Sequence, residues 1–250
     1  MASVIRTSGL GVVVIGVLTA GCAQHTAPDP GAPVGTSAEE TGAVQPSDFD
    51  TSQLFQSDVD QAAELAQQRA LKHLRSMMVK LYKRNPIYWR AHSESVQDAV
   101  NRVFGDEKLN LDAEDLNNQW AGDAVNLAFE PSFHGDRVRA FIIGLLQMLM
   151  ASYNNETDFY ITTDLDPQRL YNSARNFERA AWLLNTRRQA NGEPFLIANS
   201  MAAGQINLSI ERLFGKLIGG QDLLAQLTAE EQNRAIKNVV QSITTFFLPI

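Results

Sequence analysis

The sequence has a single cysteine, Cys22, among its 250 residues. Residues 23–250 therefore cannot form an intramolecular disulfide, and a domain folded from them must rely on a packed core. The formal net charge of −7 does not favour a general nucleic-acid binder, because such proteins carry an excess of basic residues. Hydrophobic residues make up 44% of the chain, which is typical of a globular protein and not of a disordered one.

Motifs that identify common enzymes are also missing. The chain has no Gly-x-Ser-x-Gly nucleophile elbow, no Walker loop, no dinucleotide-binding fingerprint and no His-Glu-x-x-His or paired-cysteine metal motif. Gly219 and Gly220 form an isolated glycine pair. The sequence therefore predicts no metal, no cofactor and no catalytic residue that a motif would identify.

The first 21 residues contain a long uncharged hydrophobic run. Arg6 precedes it, residues 7–21 carry no charge, and residues 10–18 read LGVVVIGVL. A positive segment followed by a hydrophobic core of this length is typical of a signal peptide. The run is shorter than the roughly 20 apolar residues that a membrane-spanning helix needs. We therefore expect residues 1–21 to act as an export leader.

The leader ends in the sequence LTAGC at residues 18–22, which resembles the lipobox of bacterial lipoproteins. The resemblance covers only residues 1–22. It implies that the thiol of Cys22 carries a diacylglyceryl group, that the leader is cleaved before Cys22, and that the new amine is acylated. Two or three acyl chains anchor a protein stably to a membrane. Because Ala23 and not an aspartate follows, the resemblance favours the outer membrane, facing the periplasm. The alternative is an ordinary secretory leader with an incidental cysteine.

Residues 22–49 join this cysteine to the rest of the chain. They are rich in Ala, Pro, Gly, Ser and Thr and have few large apolar side chains. Such a segment cannot bury enough surface to fold, so we expect a flexible tether. Between Cys22 and Gln68 there are eight acidic residues and no Lys or Arg. An acidic tether should be repelled by anionic lipid headgroups.

Residues 50–250 are predicted to fold as one all-α domain, a bundle of six to eight helices. The first helix is expected from Gln53 to Lys83, because its large apolar residues recur with a period near 3.6 and form one stripe: Leu71, Leu74, Met77, Met78, Leu81 and Tyr82. Asn85 and Pro86 should end that helix and begin a second one, as N-cap and first helical residue, which runs to Gly105.

The remaining helices are predicted from capping residues and apolar runs. Residues 140–151 are apolar almost all round, which predicts a central buried helix beginning at Asp136. The other expected elements are a helix from Asp112 to Glu130, one from Asp166 to Ala190, one from Ala202 to Ile218, a last one opened by a capping box at Thr228–Glu231, and short strands near Phe159–Thr162.

A basic stretch follows the start of the first helix. No acidic residue occurs between Ala66 and Ser93, and helical spacing places most of the basic side chains opposite the apolar stripe. They form a candidate face for an anionic partner: Arg69, Lys72, Arg75, Lys80, Lys83, Arg84 and Arg90. The partner could be a lipid headgroup, another anionic envelope polymer or an acidic protein. The alternative is a solvated face paired with acids of the bundle or of the tether.

A second candidate site is a loop between two predicted helices. Glu130, Ser132, His134 and Asp136 bring two acids, a hydroxyl and an imidazole within seven residues, and functional sites are often built on loops. The alternative is a helix-entry loop in which Asp136 is the N-cap. Two weaker candidates remain: a site at His92 and Glu94, with His73 elsewhere, and a pocket lined by Trp89, Trp120 and Trp182.

These features favour a non-enzymatic interaction or assembly module that is lipid-anchored in a bacterial envelope. Its partner would be a protein of a secretion, pilus, polysaccharide or cell-wall machine. One alternative is an envelope hydrolase with a carboxylate acid and base, which would need a deep pocket lined by the candidate acids and histidines. Another is a binder of a small or lipidic ligand between helices near Phe141–Met150.

Overall fold

A computed structural model describes residues 58–105, 108–157, 164–202, 205–232, 235–237 and 246–250. The leader, Cys22 and the tether lie outside these residues, as do the strands expected near Phe159–Thr162. All described residues belong to one compact unit. Within them, no helix combines the length and apolar character needed to cross a membrane.

The described residues form seven α-helices, which confirms the predicted all-α class and the expected number of helices. The helices are α1 Asp58–Arg84, α2 Pro86–Arg90, α3 Val96–Asn101, α4 Gly122–Leu127, α5 Arg137–Ser152, α6 Pro167–Thr186 and α7 Ser209–Glu231. A two-stranded antiparallel hairpin, β1 Ser200–Ala202 with β2 Gln205–Asn207, precedes α7. The main helix pairs are α1 with α5 and α7, α6 with α5 and α7, and α4 with α5.

Helix α5 lies at the centre of the bundle, as its apolar sequence predicts. Every residue from Phe141 to Met150 is buried, including Gln147. The Gln147 side chain is satisfied there, because its Oε1 accepts from the backbone N of Ala121 at 2.7 Å and its Nε2 donates to the carbonyl of Leu111 at 3.2 Å. This buried amide therefore fastens the segment before α4 to the central helix.

Helix α1 buries the predicted stripe. Leu74, Met77, Met78, Leu81 and Tyr82 are buried, and Leu71 packs against the same core. Acids in the first turn and the basic residues of the last turn both suit the helix dipole. Within the described residues the helix begins at Asp58 and ends at Arg84, one residue beyond the predicted end.

The second helix begins as predicted, with Asn85 at the N-cap position and Pro86 as the first helical residue. Its predicted continuity to Gly105 is wrong, because α2 ends at Arg90 and α3 is a separate helix. Asn85 makes no capping hydrogen bond. Its side chain instead donates to the carbonyl of Leu81 at 2.8 Å and accepts from the backbone N of Ile197 at 2.8 Å. The chain turns between α2 and α3 because Ser95 caps α3, accepting from the backbone N of Asp98 at 3.1 Å.

The helix expected from Asp112 to Glu130 is also wrong. Only Glu114–Leu116, as a 3-10 turn, and α4 are helical there. Asn117, Asn118 and Ala121 between them have positive φ values, a conformation that asparagine tolerates better than most residues. These left-handed residues break the helix and let the chain reverse direction before α4.

The end of the chain departs most from the prediction. Helix α6 begins after its N-cap Asp166, as expected, but ends at Thr186. No helix starts at Ala202, because the hairpin occupies that position, and α7 then runs unbroken from Ser209 to Glu231. Thr228 is buried in its last turn and therefore does not cap the start of a helix. Residues 233–234 and 238–245 of the last predicted helix lie outside the described residues. The apolar side of α7 packs along α1 and α6, and this packing outweighs the low helix propensity of Gly219 and Gly220.

Candidate functional site

The structure does not gather the four loop candidates into one site. Glu130, Ser132 and His134 are exposed, whereas Asp136 is buried. The next residue, Arg137, is buried and donates to the carbonyl oxygens of Ala128, Glu130 and Phe133. Its guanidinium also stacks on the ring of Phe195 at 4.9 Å. The loop is therefore organised around Arg137 through backbone carbonyl groups, and its three exposed candidates do not share the buried position of Asp136.

Asp136 instead forms the N-cap of α5 and a buried pair with Tyr82. Its Oδ1 accepts from the backbone N of Arg139 at 2.9 Å, and its Oδ2 accepts from the Tyr82 hydroxyl at 2.7 Å. Burial raises the pKa of the Asp136 carboxyl, and these two hydrogen bonds offset the rise only in part. Burial first and the nearby Asp136 second raise the pKa of Tyr82.

A polar pocket of about 780 Å³ opens beside this pair. Among the sequence candidates, His92 and Asp136 line it, whereas Glu94, Glu130 and His134 do not. Its ionisable lining residues besides Asp136 and Tyr82 are His92, Arg102, Asp112, Glu114, Asp115 and Arg139.

Some groups of the polar pocket pair with one another. Arg139 pairs with the carboxylate of Asp115 and donates to the carbonyl of Asp112 at 2.8 Å. Ser93 lines the pocket, yet in the described part of the chain its hydroxyl is not hydrogen-bonded to His92 or Asp136. Among the described residues, the pocket therefore shows no hydrogen bond of the kind that joins an activated serine to its base.

Metal-ligand and aromatic candidates are likewise dispersed. Across the ranges that the structure describes, no three His, Cys, Asp or Glu residues are grouped to hold a metal ion. Trp120 is exposed beside residues 246–250, and Trp89 and Trp182 pack half-buried against the core. The three tryptophans do not line a common pocket. The interior around Phe141–Met150 is filled by side chains of the bundle.

The seven side chains of the predicted basic face do not act as one surface, because several of them contact different elements of the fold. Arg75 donates to Asn101 Oδ1 at 2.7 Å on α3, Arg84 donates to Ser209 Oγ at 3.2 Å on α7, and Arg90 stacks on Trp89. Arg69, Lys72 and Lys83 are exposed, and Lys80 is half-buried. None of the seven basic residues forms an ion pair with a carboxylate of the described residues.

An apolar groove of about 760 Å³ lies between α1 and α7. Three leucines that line it remain substantially exposed: Leu65 at 47%, Leu223 at 59% and Leu227 at 37%. Gly215, Gly219 and Gly220 also line it from α7. This groove could not be predicted from the sequence, because the second apolar side of α7 is recognised only when its other side is known to be buried.

Basic groups line the same groove. Arg69 and His73 line it from α1, and Lys216 lines it from α7. Partial burial lowers the pKa of His73, and the charges of Lys216 and Arg69 lower it further. The imidazole is therefore neutral at pH 7, and Arg69 and Lys216 supply the positive charge of the groove.

Comparisons of this chain with protein-family models, with curated proteins and with solved structures find no match.

Proposed function

We propose that this chain is a bacterial envelope lipoprotein, anchored through Cys22 to the outer membrane, whose helical domain binds a protein partner in the α1–α7 groove. The exposure of Leu65, Leu223 and Leu227 along one groove carries this proposal. Clustered exposed apolar residues with polar neighbours are typical of interaction sites. The domain acts as a module for assembly and not as an enzyme.

The three leucines offer a useful amount of binding energy. Fully burying a leucine contributes about 1.5–3 kcal/mol. Since roughly half of each side chain remains exposed, a partner that covers them gains about 1 kcal/mol from each. The polar pocket beside Asp136 offers less, because Asp115, Asp136 and Arg139 are already paired within it. The geometry therefore favours the groove over an envelope hydrolase.

The lipid anchor is tested by Cys22→Ala. The wild-type protein is expected in the membrane fraction, released by detergent, with a mature chain that begins at Cys22 and carries fatty acid in its mass spectrum. The variant should leave the membrane fraction. No disulfide is disturbed, since Cys22 is the only cysteine. A variant that stays with the membrane, or a mature wild-type chain that begins elsewhere without fatty acid, would contradict the anchor.

The groove is tested by Leu223→Glu in the full-length, anchored protein. A photo-crosslinking residue at position 65 should give a discrete protein adduct in the native envelope, and Leu223→Glu should reduce its yield at least tenfold. Stability should change by less than about 0.5 kcal/mol, because Leu223 is exposed. Ile87→Glu is the matched control, since Ile87 is exposed on α2 and does not line the groove. Equal loss in both variants would refute a role for the groove.

A further inference from the structure

The groove has the shape of a binding site for a helix. Its two walls are helical faces, with Leu65, Arg69 and His73 at helical spacing on α1, and Gly219, Leu223 and Leu227 four residues apart on α7. A concave channel between two helices accepts a third helix through anchors on successive turns. A flat bilayer surface does not enter such a channel, so the shape favours a protein segment over a lipid surface.

The glycines of α7 indicate that the occupant approaches closely. A Cβ added to Gly215, Gly219 or Gly220 meets no atom within 4 Å, whereas one added to Gly122 or Gly144 falls 2.5 Å from a neighbouring atom. The described fold therefore requires glycine at 122 and 144 but not at the three groove positions. Glycine inside a helix is destabilising relative to alanine. The open space over these glycines lets the backbone of a bound helix lie close to α7.

Charge distinguishes between the possible occupants. Arg69 and Lys216 have no ion-pair partner among the described carboxylates, so they favour acidic residues beside the apolar anchors of the occupant. A second copy of this chain, paired across a two-fold axis that passes close to Arg69 and Lys216, would bring these cations together with their own counterparts. Acidic groups on a different protein complement them.

We propose that the groove binds an amphipathic helix of another envelope protein, which carries an apolar stripe flanked by Asp or Glu. The apolar stripe covers Leu65, Leu223 and Leu227, its backbone approaches α7 at Gly219, and its acids pair with Arg69 and Lys216. This inference rests on the proposed function and names the chemistry of the partner.

The test uses the full-length protein in detergent and a synthetic 18-residue amphipathic helix with leucines on one face and glutamates beside them. This peptide should bind at least tenfold more tightly than a version with lysines in place of glutamates. Combining Arg69→Glu with Lys216→Glu should reverse that preference. Gly219→Leu should weaken binding at least tenfold without lowering the unfolding temperature. Gln68→Leu, exposed on α1 outside the groove, should bind as the wild type does.

Other outcomes would overturn the inference. Equal binding of both peptides would show that Arg69 and Lys216 do not select acidic residues. Unchanged binding by Gly219→Leu would show that the bound helix does not approach α7 closely. Binding to phosphatidylglycerol vesicles through groove residues, without peptide binding, would identify a lipid surface. Self-association abolished by Leu223→Glu would identify a second copy. Peptide binding only after Phe49, Leu54 and Phe55 are replaced by serine would identify the chain's own N-terminal segment.

The inference and the proposed function can fail separately. A groove-dependent adduct from position 65 in the envelope, together with a peptide that shows no charge preference, would leave the interaction module standing and reject the acidic helix. Absence of any adduct, whatever the peptide does, would reject the module as well.

Discussion

Gly144→Ala is expected to destabilise the domain by about 3 kcal/mol, or to prevent it from folding. The new Cβ would lie 2.5 Å from the carbonyl oxygen of Ala121 and 2.8 Å from the backbone N of Val125. Backbone atoms cannot rotate away, so α4 must move off α5. Urea unfolding followed by circular dichroism measures the loss. Because α5 is the central helix, the effect should be global and cooperative.

The matched control for this prediction is Gly219→Ala. Both glycines lie inside long helices, but a Cβ at Gly219 meets nothing within 4 Å. Alanine should therefore stabilise the domain by about 0.5–1 kcal/mol, as expected for a helix interior. If Gly144→Ala unfolds at the same urea concentration as the wild type, α4 and α5 do not pack as closely as described.

Asp136→Ala is expected to cost about 2–4 kcal/mol of stability. Loss of the α5 N-cap accounts for about 1 kcal/mol, and the buried Tyr82 hydroxyl, left without its acceptor, accounts for about 1–3 kcal/mol. Tyr82→Phe and the double variant complete a mutant cycle. The double variant should be more stable than the sum of the single losses predicts, because it leaves no unpaired hydroxyl. Strict additivity would show that the two groups do not interact.

The same carboxyl gives a pH dependence with a defined sign. Burial raises the pKa of Asp136 above its ordinary value of 3.8, so the folded state holds this proton more tightly than the unfolded state does. The contribution to stability is present below pH 3.8 and is lost as pH rises through the raised pKa. Asp136→Asn, which keeps a side-chain acceptor for the α5 cap, should remove this loss of stability with rising pH. A loss that persists in that variant must come from other groups.

Strong local signals made much of the fold predictable. The periodic stripe of α1, the apolar run of α5 and the N-caps Asp136 and Asp166 are local signals of this kind, and the structure confirms them. The errors occur where two local signals compete. Ser95 caps a helix within ten residues of Asn85, and α7 continues through a glycine pair because its other side is buried.

The candidate sites were less predictable than the fold, because each combines distant parts of the chain. The sequence identified Arg69, His92 and Asp136 as candidate site residues. It did not identify the residues that lie beside them in the folded domain. Leu65 and Leu223 line the same groove although more than 150 residues separate them in sequence. Their proximity depends on how α1 packs against α7, and periodicity within one helix contains no information about its register against another.

The shape of the loop before α5 depends on one side chain, Arg137. Its guanidinium donates hydrogen bonds to three carbonyl oxygens of that loop. One buried side chain therefore fixes the backbone that carries Ser132 and His134, both of which are exposed. An antibody raised against the folded domain should recognise this loop only while Arg137 keeps its three hydrogen-bond partners.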